Sequence, residues 1–182
     1  MKKLLILSIA FIFSIILFNQ AKAQTAETDS DSNIEAQNIR VGVGLTFGSG
    51  IGSGSLDNDL GIRVDGYYPL TQEIRAGGDF TFYFPKSDNG VDFTVWELNF
   101  NGNYIFLEED EFTLYGLAGI NITGFTVSFD DDSNSDTEIG LNLGGGAEYP
   151  LDFADLFGEI KFGGLGGDAD QFVLGVGLRF TI

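Results

Sequence analysis

From residue 172 to 182 the chain alternates residue by residue. Phe172, Leu174, Val176, Leu178, Phe180 and Ile182 fall on one side, and Val173, Gly175, Gly177, Arg179 and Thr181 on the other. Successive side chains of a strand point to opposite faces, so this segment reads as a strand with one apolar and one small or polar face. Seven earlier segments share the pattern: Ile39–Phe47, Leu60–Leu70, Glu73–Phe84, Thr94–Phe106, one from Phe112, one from Glu138 to Tyr149, and Leu156–Phe162. A period of two repeated eight times excludes a helical architecture. Tight turns after the second, fourth and sixth segments alternate with longer loops after the first, third, fifth and seventh. Short turns on one side of a membrane and long loops on the other are the signature of an up-and-down transmembrane β-barrel. The expected fold is all-β: an eight-stranded antiparallel up-and-down barrel spanning residues 38–182, with both termini in the periplasm.

The N-terminus supplies the export route. Lys2 and Lys3 precede an apolar run from Leu4 to Phe18, and Ala21-Lys22-Ala23 offers a small-residue cleavage site. That is the layout of a secretory signal peptide over residues 1–23. The rival reading, a retained membrane helix, falls short because the run is fifteen residues where a bilayer needs about 20. Residues 24–37 (QTAETDSDSNIEAQ) are acidic, nearly free of large apolar side chains, and read as a flexible leader. The chain has no cysteine, which excludes disulfides and an N-terminal lipidated cysteine. With no apolar run of spanning length, a membrane location requires a closed barrel. Cleavage removes three of the nine basic residues and none of the 27 acidic ones, leaving a net charge of −21. So acidic a chain is not expected to bind nucleic acid, whose phosphates require Lys and Arg.

Charge sets the register. Of six basic residues in the mature chain, Arg40, Arg63, Arg75, Lys161 and Arg179 fall on the polar face, and only Lys86 lies in a loop. Asp65, Glu73, Asp79, Glu97, Glu138, Glu148 and Glu159 share that face. Lipid-facing Arg or Lys costs about 2–4 kcal/mol at the bilayer midplane, so these twelve residues are expected to form a compensated network in the lumen. Aromatic residues gather near segment ends. Tyr68, Tyr104, Phe106, Phe112 and Tyr149 lie toward the turns, and Phe47, Phe84, Trp96 and Phe172 toward the loops, as two interfacial girdles would. An exported soluble β-barrel with one wet face is the third reading, after a membrane anchor and a small pore. After Gly124 the apolar phase shifts to Phe125, Val127 and Phe129, which predicts a bulge or a strand leaving the membrane.

Four stretches carry a family resemblance: Tyr115–Asn121 (YGLAGIN), Leu143–Tyr149 (LGGGAEY), Phe157–Phe162 (FGEIKF) and the closing strand. The chain resembles the small eight-stranded outer-membrane proteins of the OmpA/OmpX type and their outer membrane protein beta-barrel domain grouping. The resemblance implies a bacterial outer-membrane location, lipid as the surrounding partner, and insertion by the barrel-assembly machinery through the terminal strand. Ile182 departs from the usual terminal Phe, although Phe180 lies two residues earlier on the same face. No peptidoglycan-binding domain is expected after the barrel.

Little in the chain points to catalysis. It has no histidine, so Ser-His hydrolysis and most transition-metal sites are excluded. Lipid A deacylases and omptin-type proteases share such a shell but depend on histidine. Carboxylates in the lumen fit a structural network better than acid–base work. Asp130, Asp132, Asn134 and Asp136 alternate, but Ser135 and Leu141 occupy the positions where a calcium loop needs Gly and Glu. Gly144-Gly145-Gly146 lies within a strand with no Lys-Ser/Thr after it, so it is no phosphate loop. The expected function is non-enzymatic, with no cofactor: envelope structure or surface contact through the loops, by a monomer. A small pore is the alternative, since Gly42, Gly44, Gly140, Gly144, Gly146, Gly175 and Gly177 on the inner face offer room for a narrow water path. Mass spectrometry of the exported protein should give Gln24 as its first residue; a mature chain that keeps Lys2 and Lys3 would refute the signal-peptide reading.

Overall fold

The structure is a computed structural model that describes residues 39–49, 59–129, 132–167 and 170–182. The expected signal peptide, the leader and loop residues 50–58 lie outside the described residues. The strands are β1 Arg40–Gly48, β2 Asp59–Pro69, β3 Ile74–Tyr83, β4 Lys86–Asp88, β5 Val91–Glu108, β6 Thr113–Phe129, β7 Asp132–Pro150, β8 Asp155–Leu165 and β9 Gln171–Thr181. All pairings are antiparallel and follow the order β3-β2-β1-β9-β8-β7-β6-β5, and a β3–β5 pairing closes the ring. Eight strands therefore form the barrel, as the alternation predicts. The ninth, β4, pairs only with β5 through a two-residue turn at Asn89-Gly90. Both turn residues have positive φ, 51° and 83°, as a type I′ hairpin turn requires.

One end carries the short turns. Leu70 and Thr71 donate their amides to Ile74 O in the β2–β3 turn, Glu109 N to Phe112 O in β5–β6, and Leu151 N to Ala154 O in β7–β8. At the same level Ile182 N donates to Ile39 O at 2.9 Å. A ring without edges leaves no strand backbone unpaired at the lipid surface.

The apolar face points outward. Val43, Val64, Phe100, Ile120, Leu143, Ile160 and Val176 remain 49–58% exposed. Inside lie Arg63, Asp65, Arg75, Asp79, Glu97, Glu148, Glu159, Lys161 and Arg179, all buried. A soluble sheet would do the reverse, because burying charge while exposing this much apolar area loses on both counts in water. The soluble-module reading falls here.

Three expectations need correction. No bulge occurs at Gly124: β6 keeps register through it, with Gly124 opposite Trp96 on one side and Thr137 on the other. The register shifts lie elsewhere, between Ile105 and Leu107 and between Leu141 and Leu143. What changes at Gly124 is the surroundings of the strand. Beyond it Thr126 and Ser128 take the outward side, while Phe125 turns in against Tyr83 with Val95. Secondly, the acidic stretch read as the loop Asp130–Asp136 is strand from Asp132 onward, paired with β6 out to Phe129. Thirdly, the loop read as Gly163–Gln171 is shorter, because β8 runs to Leu165 and Gln171 opens β9 with its side chain buried.

Leu98 sits outward between Phe80 and Ile122. Leu98→Arg should lower unfolding stability in lipid vesicles by about 2–4 kcal/mol, read by denaturant titration. Tolerance of Arg at 98 would mean the inside–outside register is wrong.

Candidate functional site: the charged interior

The interior is built around Arg179, on the closing strand and fully buried. Its Nε and Nη2 donate to Asp65 Oδ1 and Oδ2, both at 3.1 Å, in a bidentate pair with β2. Its Nη1 donates to Glu148 Oε1 of β7 at 2.5 Å and to the Tyr115 hydroxyl of β6 at 3.0 Å. Glu159 Oε2 of β8 lies 3.5 Å from Nη2. A guanidinium can serve several planar partners at once because its five N–H groups point along fixed directions. One side chain thus ties the last strand to four others.

Glu148 is a hub of the opposite sign. Besides Arg179 it takes Arg75 Nη1 at 2.9 Å and Arg40 Nη1 at 2.6 Å. Arg40, half-buried at the turn end, also reaches Asp155 at 3.0 Å. Further along the lumen, Arg63 Nη1 donates to Glu159 Oε1 at 2.5 Å and pairs with Asp65 and Asp79 at 3.4 and 3.5 Å. Lys161 Nζ stands 3.6 Å from Asp79 and 3.7 Å from Glu97. Five cations face five buried carboxylates, with Asp155 as a sixth acid at the rim. A buried ion is costly unless paired and hydrogen-bonded; each cation here has a carboxylate within 4 Å, while Lys161 Nζ is held by its ion pairs without a hydrogen bond.

Aromatic rings fill the space between the ions. The Arg179 guanidinium lies 4.2 Å from the Phe157 ring centroid and 4.9 Å from that of Tyr67. Arg75 lies 4.9 Å from the Tyr115 ring, and Tyr115 donates its hydroxyl to Glu159 at 2.9 Å. A desolvated cation over a ring face gains electrostatic stabilisation of about 2 kcal/mol.

Toward the loop end charges give way to amides. Asn99 and Asn101 donate to Asp79 at 2.8 and 3.1 Å, Asn121 donates to Asn99, and Asn142 donates to both Asn99 and Asn101. Above them Tyr83 donates to Glu97 at 2.9 Å, and the Gln171 amide also donates to Glu97. The Tyr83, Val95 and Phe125 cluster caps this layer.

Of the seven inner glycines only Gly175, whose nearest neighbour is Arg63 Nη1 at 3.4 Å, has room for a Cβ. Tyr115 lies over Gly146, Phe157 over Gly177, Tyr67 over Gly77, and Lys161 against Gly144, and in each case a Cβ would collide with its neighbour. Asp65 and Arg179 fill the position beside Gly42, and the Gly164 backbone lies against Gly140. Glycine here admits a large side chain from the adjacent strand.

Of the twelve residues expected in the lumen network, ten are brought together. Glu73 is not: β3 begins at Ile74, leaving Glu73 exposed in the turn, where its amide donates to Thr71 Oγ1. Glu138 lies half-buried nearer the loop end, opposite Thr123. Of the aromatic residues, Phe47, Tyr68, Phe84, Tyr104, Phe106 and Tyr149 are exposed, and Trp96, Phe112 and Phe172 are half-buried. Trp96 lies across Gly124 and stacks on Phe80 at 6.4 Å, while Phe172 meets Phe162 at 5.5 Å. Sequence reasoning missed Phe157, Gln171 and Asp155. Phe157 shares the phase of Glu159 and Lys161, which was the signal available for it. Among the described residues no three acidic, histidine or cysteine side chains converge as a metal site. The carboxylates of this interior are held by cations and amides, an arrangement that fixes their charge.

The profile of the family described as "outer membrane protein beta-barrel domain" matches residues 11–180. No curated protein matches the sequence. Among solved structures, Neisserial surface protein A (NspA) is similar at TM-score 0.65 and 18% identity, over 79% of this chain and 97% of that one. Ail, the attachment invasion locus protein of Yersinia pestis, in complex with the heparin analogue sucrose octasulfate, gives TM-score 0.57 and 19% identity over 79% and 97%. OprG of Pseudomonas aeruginosa gives 0.58 and 16% over 81% and 96%. At these identities the likeness concerns the fold.

Arg179→Met should cost about 3–5 kcal/mol by leaving Asp65 and Glu148 buried without their main counter-charge. Asp65→Leu combined with Arg179→Met should recover part of that loss in a double-mutant cycle read by denaturant unfolding. Strict additivity of the two losses would show that the pair is not coupled.

Proposed function

This chain belongs to the outer membrane protein beta-barrel family of the bacterial outer membrane, and we propose that it acts there as a non-enzymatic anchor that presents its loop end for contact. The carrying observation is the filled interior. Aromatic rings, charged side chains and neighbouring backbone occupy the space beside six of the seven inner glycines, all but Gly175, and the Tyr83, Val95 and Phe125 cluster lies at the loop end. Eight strands enclose room for side chains and little more. That supports an anchor over the small-pore alternative.

The same geometry supports an orientation. Ile39 and Ile182 lie with the short turns, which outer-membrane barrels keep in the periplasm, so both termini are proposed to be periplasmic. The protein would be inserted through β9 by the barrel-assembly machinery and would function as a monomer. Contact would run through the loop end. Ail in the related structure holds a sulfated sugar, a polyanion. Here the loop end presents Asp92, Asp132, Asp136 and Asp170 as exposed acids, with Lys86 as its basic residue among those described. Charge complementarity therefore supports a cationic partner for this chain.

Purified protein in planar lipid bilayers should give no stable single-channel openings. Reproducible openings in the nanosiemens range would replace the anchor reading with transport.

A further inference from the structure

On the lipid-facing wall, glycine occurs where packing within the protein does not require it. A Cβ at Gly158 of β8 would meet no heavy atom within 4 Å, and one at Gly116 of β6 would meet Gly144 O at 4.0 Å. Inner glycines such as Gly144 and Gly177 differ, because a Cβ there collides with the next strand. A glycine inside a strand forfeits side-chain packing and costs conformational entropy. In an open position it marks a place where something else approaches the backbone closely.

These positions adjoin one another. Gly116 stands opposite Gly145, and Ala147 opposite Gly158, so four small residues of β6, β7 and β8 form a shallow floor. Larger outward residues bound it. Leu143 pairs with Phe162 on its loop side, and Tyr149 with Leu156 on its turn side; all four are exposed. Ile160 and Leu174 line it toward β9. The open groove over Gly145, Ala147 and Gly158 measures about 480 Å³, within the range of about 300–1,000 Å³ for clefts that hold small organic ligands.

We propose that this groove binds one acyl chain of a membrane phospholipid whose headgroup carries a primary ammonium, as in phosphatidylethanolamine. The site is on the outer wall, so it stands whether the lumen is closed or conducting. The groove opens into hydrocarbon, where no water competes for it. A chain lying on glycine gains close van der Waals contact with the strand backbone. Charge selects the headgroup. Tyr149, at the turn side of the groove, is placed at the interface, where its hydroxyl can donate to a phosphate. Asp152 follows three residues later in the β7–β8 turn, and Glu108–Glu111 occupy the neighbouring β5–β6 turn; all five acids are exposed. This row attracts an ammonium and repels an anionic headgroup. A second copy is a poor occupant, because two copies inserted in the same direction set the same acidic turns side by side.

The test uses the whole mature protein in detergent micelles, titrated with phosphatidylethanolamine or phosphatidylglycerol of identical acyl chains and read by native mass spectrometry. One phosphatidylethanolamine should be retained per barrel, about tenfold more tightly than phosphatidylglycerol. Gly158→Leu fills the groove and should weaken that binding about tenfold. Ala147→Leu, from the other strand of the floor, should act alike. Gly102→Leu, at an outward glycine of β5 whose Cβ would have its nearest neighbour at 3.9 Å, should leave binding unchanged. Asp152→Asn/Glu111→Gln should abolish the preference between headgroups while the chain still binds. Heat-modifiable gel migration checks that each variant is folded. Equal retention of the two lipids by the unaltered protein, undiminished binding when the groove is filled, an equal loss in Gly102→Leu, or a preference that survives the acid variant would overturn the proposal. So would protein dimers that Gly158→Leu dissociates, which would assign the groove to a second copy.

Discussion

Arg179 sits on the strand that closes the ring, and the carboxylates of Asp65 and Glu148 meet it from β2 and β7. Closing a sheet in hydrocarbon satisfies the backbone but leaves a lumen that solvent does not fill as bulk water. Whatever points inward must then be neutral as a set. Five basic residues of the described chain point there, and each finds an acid within 4 Å. Removing one ion from such a set leaves its partner uncompensated in a low-dielectric interior. The apolar exterior determines that the protein resides in lipid; the interior pairing determines that these strands, in this register, form the ring.

The packing of that interior follows a complementary rule. Where one strand contributes a ring or a long cation, its neighbour contributes glycine: Tyr115 with Gly146, Phe157 with Gly177, Lys161 with Gly144. A Cβ at those positions would collide with these side chains and, at Gly144 and Gly177, still more closely with a backbone carbonyl of the adjacent strand. The abundance of glycine in the chain, 26 residues, is in this light a packing feature as much as a conformational one. Room that alternation alone assigns to water is taken by side chains from the next strand.

The strand phases were legible because lipid punishes a slip so heavily. Arg63, Asp65, Arg75, Asp79, Glu97, Glu159, Lys161 and Arg179 occupy the inner face that alternation assigns them. Partnership was not legible, because alternation gives the face but not which strands meet across the lumen. Arg179 with Asp65, and Arg75 with Glu148, are contacts that only closure creates. Glu73 shows the limit at strand ends, where one residue of difference in the start of β3 moves a carboxylate into the turn. Phe157 shows the other limit, an apolar residue on the polar face, which composition alone would send to the lipid.

The loop end shows what happens when the solvent changes but the strand does not. Up to Trp96, Ile122 and Ile139 the outward side chains are apolar. Beyond them come Thr94, Thr126, Ser128, Ser135 and Thr137, while Val95, Phe125 and Val127 occupy the other side. Backbone pairing between β5, β6 and β7 runs through this boundary without a break, so the inversion is imposed by the medium rather than by the backbone. Trp96, laid across Gly124 at that level, occupies the position an amphipathic ring prefers at the edge of the hydrocarbon. The phase shift after Gly124 thus marks where the membrane ends and where a sheet begins that has water on both faces. A sheet in that position keeps an apolar row on its concave side only if something covers it. The Tyr83 cluster covers Phe125, whereas Val127 and Phe129 remain exposed beside the carboxylates of β7.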